Sequence, residues 1–143
     1  QAIKFRQRVG VDVSKRTLAM PMLGEMTTMP VAIAPTGLTG MQHADGEILG
    51  AKAAEEFGVP FTLSTMSICS IEDVASRTTK PFWFQLYVMR DRDFIRRLVE
   101  RARDAGCSAL MITMDHLLVL AGDGLLQLVT QTHFSQQIYL EKM

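Results

Sequence analysis

Cysteine is scarce in this chain, with only Cys69 and Cys107 among 143 residues. Their separation fits no metal-ligand spacing and two thiols make no disulfide framework, so both are expected to be reduced packing residues, with no metal site. No sign of charge prevails, since 15 basic residues balance 15 acidic ones in an interspersed pattern. That pattern provides no electrostatic footprint for nucleic acid. The N-terminal stretch, QAIKFRQRVG, has neither the apolar core of a signal peptide nor a start methionine, and is expected to lie inside a longer protein. In the tail, the apolar run over residues 117–129 is broken by Gly122-Asp123-Gly124 and is too short to cross a membrane. The G-x-G-x-x-G of an open-sheet nucleotide binder is missing too, because Gly37 and Gly40 have no third partner at that spacing. What is present is 48% hydrophobic and 21% charged residues, which suits one soluble α/β domain able to bury a core.

Residues 82–88, FWFQLYV, carry the clearest pattern. As a strand, their period of two places Trp83, Gln85 and Tyr87 on one face and Phe82, Phe84, Leu86 and Val88 on the other. The second face wants apolar cover. The first is mixed, and its amide and phenol must either satisfy each other or face a polar ligand. Residues 110–115 repeat the arrangement, with Met111, Thr113 and Asp115 sharing a face.

Four strand-then-helix units follow from the rest of the chain. The first strand opens at Pro30 with VAIAPTGLTG and enters a glycine-bearing loop. Its helix starts at Asp45-Gly46-Glu47, with acidic residues in the first turn, an apolar stripe of Ile48, Leu49, Ala53 and Phe57, and a stop at Gly58. The second strand covers residues 60–65, and Ser70 to Asp73 caps the helix after it. Behind the third strand, from Phe82, a helix capped by Asp91 or Asp93 sets Phe94, Leu98 and Ala102 one turn apart and ends at Gly106. The fourth strand covers residues 109–113. Residues 2–29 show no firm period and are expected to form short strands or turns around Leu23-Gly24. Such repeats argue for parallel strands joined by right-handed crossovers, in a doubly wound sheet or a (β/α)₈ barrel. Length favours the open sheet, since a barrel typically takes ~250 residues. The strand ends favour the barrel, because Thr36, Ser64, Gln85 with Tyr87, and Thr113 with Asp115 all stand at C-terminal ends, where barrels build their sites.

Several blocks in order, VDVSKR, MPVAIAPTGLTGMQHADGE, PFTLSTMSICSIEDVA, KPFWFQLYVMRDR and SALMITMD, closely resemble the FMN-dependent 2-hydroxy-acid dehydrogenases and oxidases, most of all the bacterial respiratory L-lactate dehydrogenases. The resemblance runs from about Phe5 to Asp115. It implies an FMN-binding TIM barrel of which residues 30–115 are an N-terminal half-barrel of about four βα units, after a preceding segment at 1–29 and before an unaligned tail at 116–143. Residue by residue, Ala34, Pro35, Thr36 and Gly37 match the segment whose backbone lies against the flavin, where only a small residue allows close approach. Ser64, Gln85 and Thr113 match positions that hydrogen-bond the polar edge of the isoalloxazine. Tyr87 matches the tyrosine that bonds the substrate oxygen. Asp115 matches the aspartate that orients a catalytic histidine. Met66 stands where some relatives carry an aromatic residue near the substrate, which suits a small aliphatic hydroxy acid.

The implied activity is oxidation of an L-2-hydroxy acid, L-lactate to pyruvate, by hydride transfer to FMN. The electrons would pass to a respiratory-chain acceptor or oxygen, in the cytoplasm or peripherally on the inner face of the bacterial plasma membrane. After Asp115 the pattern stops, so the family's later lysine, histidine base, arginine and phosphate site have no counterpart, nor does the N-terminal tyrosine for the substrate carboxylate. The tail resembles a shifted reading frame or artificial terminus, and order is expected to fade there. The alternative is therefore a non-catalytic truncated half-barrel that binds no flavin. Such a chain would leave the strands at Val31 and Ala109 unpaired on their outer sides, and Trp83 and Met111 without a facing wall. Homo-oligomers, or a tail folded back over the exposed surface, would then follow. Of the remaining polar residues, His43 is expected to be solvated or capping, and Cys69, beside a helix start that would lower its pKa, to be a packing residue.

Overall fold

The computed structural model describes residue 6, residues 9–113 and the backbone of residues 138–142. The first elements form a hairpin of β1 (Met20–Met22) and β2 (Glu25–Thr27), paired antiparallel with Met22 opposite Glu25. Its two-residue loop is Leu23-Gly24, both with positive φ, as the twist of a tight hairpin requires.

The first of the four expected strands is reduced to a single parallel bridge, Ile33 opposite Phe61. Proline explains the shortening. The Ile33 N–H donates to the Pro60 carbonyl and its own carbonyl accepts from Thr62 N, but Pro30 and Pro35 cannot donate, and Val31 N turns back to Met29 O instead. A short helix α1 (Thr39–Gln42) and the longer α2 (Gly46–Phe57) follow. Gly58 at φ 81° ends α2, as its position in the sequence suggests. The buried stripe of α2 is Ile48, Ala51 and Ala54, with Glu47 beside them. Leu49 and Phe57 are 48% and 58% exposed, so the stripe expected through them and Ala53 is the outer face instead.

Next come β3 (Thr62–Ser64), α3 (Ile71–Arg77), β4 (Trp83–Tyr87), α4 (Arg92–Asp104) and β5 (Ala109–Thr113). At the start of α3, Ser70 and Asp73 exchange side-chain-to-backbone bonds in a capping box. Asp91, rather than Asp93, caps α4 by accepting from Phe94 N. β3, β4 and β5 are parallel neighbours in chain order, with Ser64 opposite Gln85 and Tyr87 opposite Thr113. A last strand, β6 (Ile138–Lys142), pairs antiparallel with β5, so the outer edge of β5 is not open as expected. The run at 117–129 and the tail's order lie outside the described residues.

The period of two in β4 sorts the core. Phe82, Phe84 and Leu86 join Leu63, Leu110 and the inner faces of α2, α3 and α4 in one cluster. On the opposite face Trp83, Ala109 and Met111 pack with Met22 and Leu23 of the hairpin and with Ala32. Trp83 and Met111 are buried, not bare, because the N-terminal hairpin supplies part of the wall that the sequence was expected to lack. Among the described residues the molecule is an α/β fragment with parallel crossovers and no closed barrel.

Candidate functional site

The C-terminal ends of the parallel strands bring a polar row together. Ser64 on β3 and Gln85 on β4 are buried, and Thr113 at the end of β5 is half-buried. The Gln85 side-chain carbonyl accepts from Ser64 Oγ at 3.2 Å and from the Thr65 backbone N–H at 3.3 Å, while Gln85 Nε2 donates to Thr113 Oγ1 at 2.8 Å. A backbone N–H can only donate, which fixes which way the amide faces. Thr65 ties the row to the main chain, its hydroxyl donating to Gln85 O at 2.5 Å and accepting from Tyr87 N at 3.2 Å. Gln85 thus bonds Ser64, Thr65 and Thr113 on and beside the neighbouring strands.

The row is not exhausted by its internal bonds. Both lone pairs of the Gln85 carbonyl are used, but among the described residues only one of its two amide hydrogens is. The Thr113 hydroxyl accepts from Gln85 and keeps its proton for another acceptor among the described residues. Ser64 Oγ donates to Gln85 and accepts from Met66 N at 3.1 Å, which leaves one lone pair. With the second lone pair of the Thr113 hydroxyl, two donors and two acceptors therefore remain in the row among the described residues.

Beside this row runs the loop of Ala34, Pro35, Thr36 and Gly37, held against the loop after β3 by Leu38 N donating to Met66 O at 2.9 Å. A Cβ on Gly37 would lie 3.1 Å from Met66 Cβ and 3.9 Å from Ser64 Oγ, so glycine there permits the close approach of the two loops. Ala34, Thr36 and Gly37 are exposed and Pro35 half-buried. Thr36 Oγ1 donates weakly to Ala34 O at 3.4 Å. Tyr87, opposite Thr113, is half-buried at the same rim. Asp115 lies outside the described residues, as do His116 and His133.

One residue escaped the sequence analysis. Glu47 is read there as an ordinary acidic residue of a helix's first turn, yet it is 2% exposed. Its Oε1 accepts from Gly40 N at 3.1 Å and from Ile68 N at 2.9 Å, while Oε2 is buried without a partner among the described residues. Burial works against its charge, but the Ile68, Glu47 and Gly40 N–H groups outweigh it and hold the carboxyl below its ordinary value. No signal in the spacing separates this glutamate from a solvated one.

The remaining candidates stay outside the chemistry. His43 is exposed, with Nδ1 2.7 Å from the Ala44 carbonyl oxygen. Cys69 packs against the core, and its thiol is raised by burial and by the Glu47 carboxylate, not lowered by the helix start as expected. Cys107 is buried, and burial pushes its thiol up to about 12. Among the described residues there is no cluster able to hold a metal ion and no helix long and apolar enough to cross a membrane.

Known proteins share the sequence and the fold of much of this chain. A family model described as FMN-dependent dehydrogenase matches residues 1–138. An L-lactate dehydrogenase of Alcaligenes faecalis is 50% identical over 113 residues, which cover 79% of this chain and 30% of that protein. The L-lactate dehydrogenase of Acinetobacter baumannii (strain AYE) is 53% identical over the same coverage. In structure, the chain is similar to a soluble mutant of the membrane-associated (S)-mandelate dehydrogenase from Pseudomonas putida. The TM-score is 0.75 at 41% identity, covering 79% of this chain and 32% of that one. The chain thus matches a little under a third of the length of these relatives.

Proposed function

Because the chain belongs to the FMN-dependent dehydrogenase family, we propose that it forms the flavin-edge part of an L-2-hydroxy-acid dehydrogenase acting on L-lactate. In this reading Ile33 and the strands β3, β4 and β5 are the first four strands of a TIM barrel, residues 30–115 forming a half-barrel. The observation that carries it is the Ser64–Gln85–Thr113 row, which spans three adjacent parallel strands and keeps two donors and two acceptors among the described residues. A flavin's pyrimidine end alternates donors and acceptors, so the row fits it. The loop of Ala34 to Gly37 fits too, since Gly37 lets it pack close to Met66 and Ser64, which brings its backbone beside the row where a flat ring would lie. These residues would hold FMN, which when bound supplies the hydride acceptor.

The other steps fall to the chain's own side chains. The Tyr87 hydroxyl bonds the substrate's hydroxyl or carbonyl oxygen and orients the carbon that loses hydrogen. Asp115, which lies outside the described residues, would orient the family's histidine base, a residue with no counterpart in the matched part of this chain, and stabilise its charged form. Met66, 48% exposed beside Gly37, stands where an unbranched apolar side chain suits a small aliphatic acid. The L-lactate dehydrogenase names of the relatives support that substrate. Electrons would go to a respiratory-chain acceptor or oxygen, and the membrane association of the mandelate dehydrogenase supports a peripheral place on a membrane, which in this reading is the inner face of the plasma membrane.

The pairing of β6 favours a second reading. An antiparallel strand stands on the edge of β5 where a fifth parallel strand of a barrel would stand. A chain locked in that arrangement is a non-catalytic half-barrel. Titration of the full chain with FMN, followed by flavin fluorescence quenching and a shift of the visible spectrum, separates the two. Saturable binding that Gln85→Leu weakens supports the first, whereas colourless protein after desalting from excess FMN supports the second.

A further inference from the structure

The loop bearing Ala34 to Gly37 and the loop after β3 are joined by more than backbone contacts. Glu47 Oε1 takes an N–H from Gly40, in the short helix α1 that the first loop leads into, at 3.1 Å and one from Ile68, in the second loop, at 2.9 Å. At the same junction a Cβ on Gly40 would lie 2.7 Å from Ile68 Cβ, so the loops meet there with no room between them. The carboxylate comes from the first turn of α2, whose Ile48, Ala51 and Ala54 are buried in the main core, so the anchor is rigid. Its Oε2 is left buried without a partner among the described residues, which is costly for a charged group. A glutamine would fill nearly the same space at less desolvation cost. What the charge adds is strength, since hydrogen bonds to an ionised acceptor are roughly twice as strong as neutral ones.

We propose that Glu47 is a positioning residue which locks the Gly37 loop to the loop after β3, and so sets the spacing of the two segments that flank Ser64. The lock itself is independent of any ligand. Its consequence for flavin affinity rests on the function proposed above.

Native-state hydrogen exchange on the full chain tests the lock, and FMN titration tests its consequence. In Glu47→Ala, the Gly40 and Ile68 amides exchange at least about tenfold faster than in wild type, from the loss of a charge-assisted bond on each. The amides of β4 and β5 keep their wild-type rates. Glu47→Gln gives an intermediate acceleration, because its carbonyl still accepts from both loops without charge. Gly40→Ala gives the same paired acceleration with the carboxylate intact, by wedging Ile68 away. Wild-type rates at Gly40 and Ile68 in Glu47→Ala, or acceleration of one without the other, overturn the lock. So does uniform acceleration across the sheet. FMN binds Glu47→Ala about tenfold more weakly than wild type, with Glu47→Gln between. Equal affinity in wild type and Glu47→Ala refutes the positioning role. If wild type binds no FMN, the proposed function falls and the exchange rates alone decide the lock.

Discussion

Replacing Gln85 with leucine keeps the volume of a buried side chain and removes all its polar atoms. Gln85 is 1% exposed and makes side-chain bonds at 3.2, 3.3 and 2.8 Å. Each such bond is worth about 1 kcal/mol net, and a buried group left without its partner costs about 1–3 kcal/mol. Ser64 and the Thr65 N–H lose their acceptor, whereas half-buried Thr113 can turn to water. Easier desolvation of leucine offsets part of this, so Gln85→Leu should destabilise the chain by about 2–3 kcal/mol. Denaturant unfolding followed through Trp83 fluorescence is the assay. It is the one tryptophan of the chain, 2% exposed and on the same strand. A double-mutant cycle with Ser64→Ala should give a coupling of roughly 0.5–1.5 kcal/mol, because one removal already breaks the shared bond. A Gln85→Leu variant within about 0.5 kcal/mol of wild type would show that the row is packing shape and not a hydrogen-bonded unit.

Ser70→Ala removes the hydroxyl half of the α3 capping box, leaving the backbone N–H of residue 70 bonded to Asp73, and should cost about 1 kcal/mol by the same unfolding assay. Glu72 accepts two bonds from Arg101, at 2.8 and 2.7 Å, and that pairing holds its carboxyl at about 2 instead of 4.5. A lowered folded-state pKa stabilises above the unfolded value, so the pair's contribution should be full above pH 4.5 and vanish as pH falls toward 2. Both side chains are about half exposed, which limits the effect of Arg101→Ala at neutral pH to about 0.5–1 kcal/mol, and a pH series of melting temperatures in which wild type and variant stay apart below pH 2 would contradict the assignment. Deleting residues 138–142 should uncover the edge of β5 and raise the apparent mass in light scattering at tens of micromolar, while an unchanged monomer would mean that this edge needs no cover.

Local patterns carried the crossover architecture well. The period of two in residues 83–87 and 109–113 marks both faces of strands buried on each side, and caps at Ser70, Asp91 and Gly58 mark helix ends, because these depend on neighbours in sequence. Burial of α2 was less legible. Alanines at 51 and 54 face the sheet while Leu49 and Phe57 face out, since close helix-to-sheet packing selects small residues and overrides the more hydrophobic stripe. The first strand failed for a different reason, as two prolines withhold the donors that an apolar run promises. In the site, strand-end polarity picked out Ser64, Gln85 and Thr113, whose mutual bonds follow from parallel register. Glu47 stayed hidden, because its two partners are backbone groups of α1 and of the loop after β3, whose meeting only the folded chain brings about.

The pairing of β6 with β5 has a consequence for assembly. Its five residues run opposite the whole of β5, from Ala109 against Lys142 to Thr113 against Ile138. A strand on the same polypeptide competes at an effective concentration on the order of millimolar. Any second polypeptide that offers a strand to that edge, whether another copy or a separately made continuation of a barrel, must first displace this tethered one. Assembly at β5 is therefore a strand-exchange reaction, slow and dependent on opening of β6, rather than simple docking of two halves.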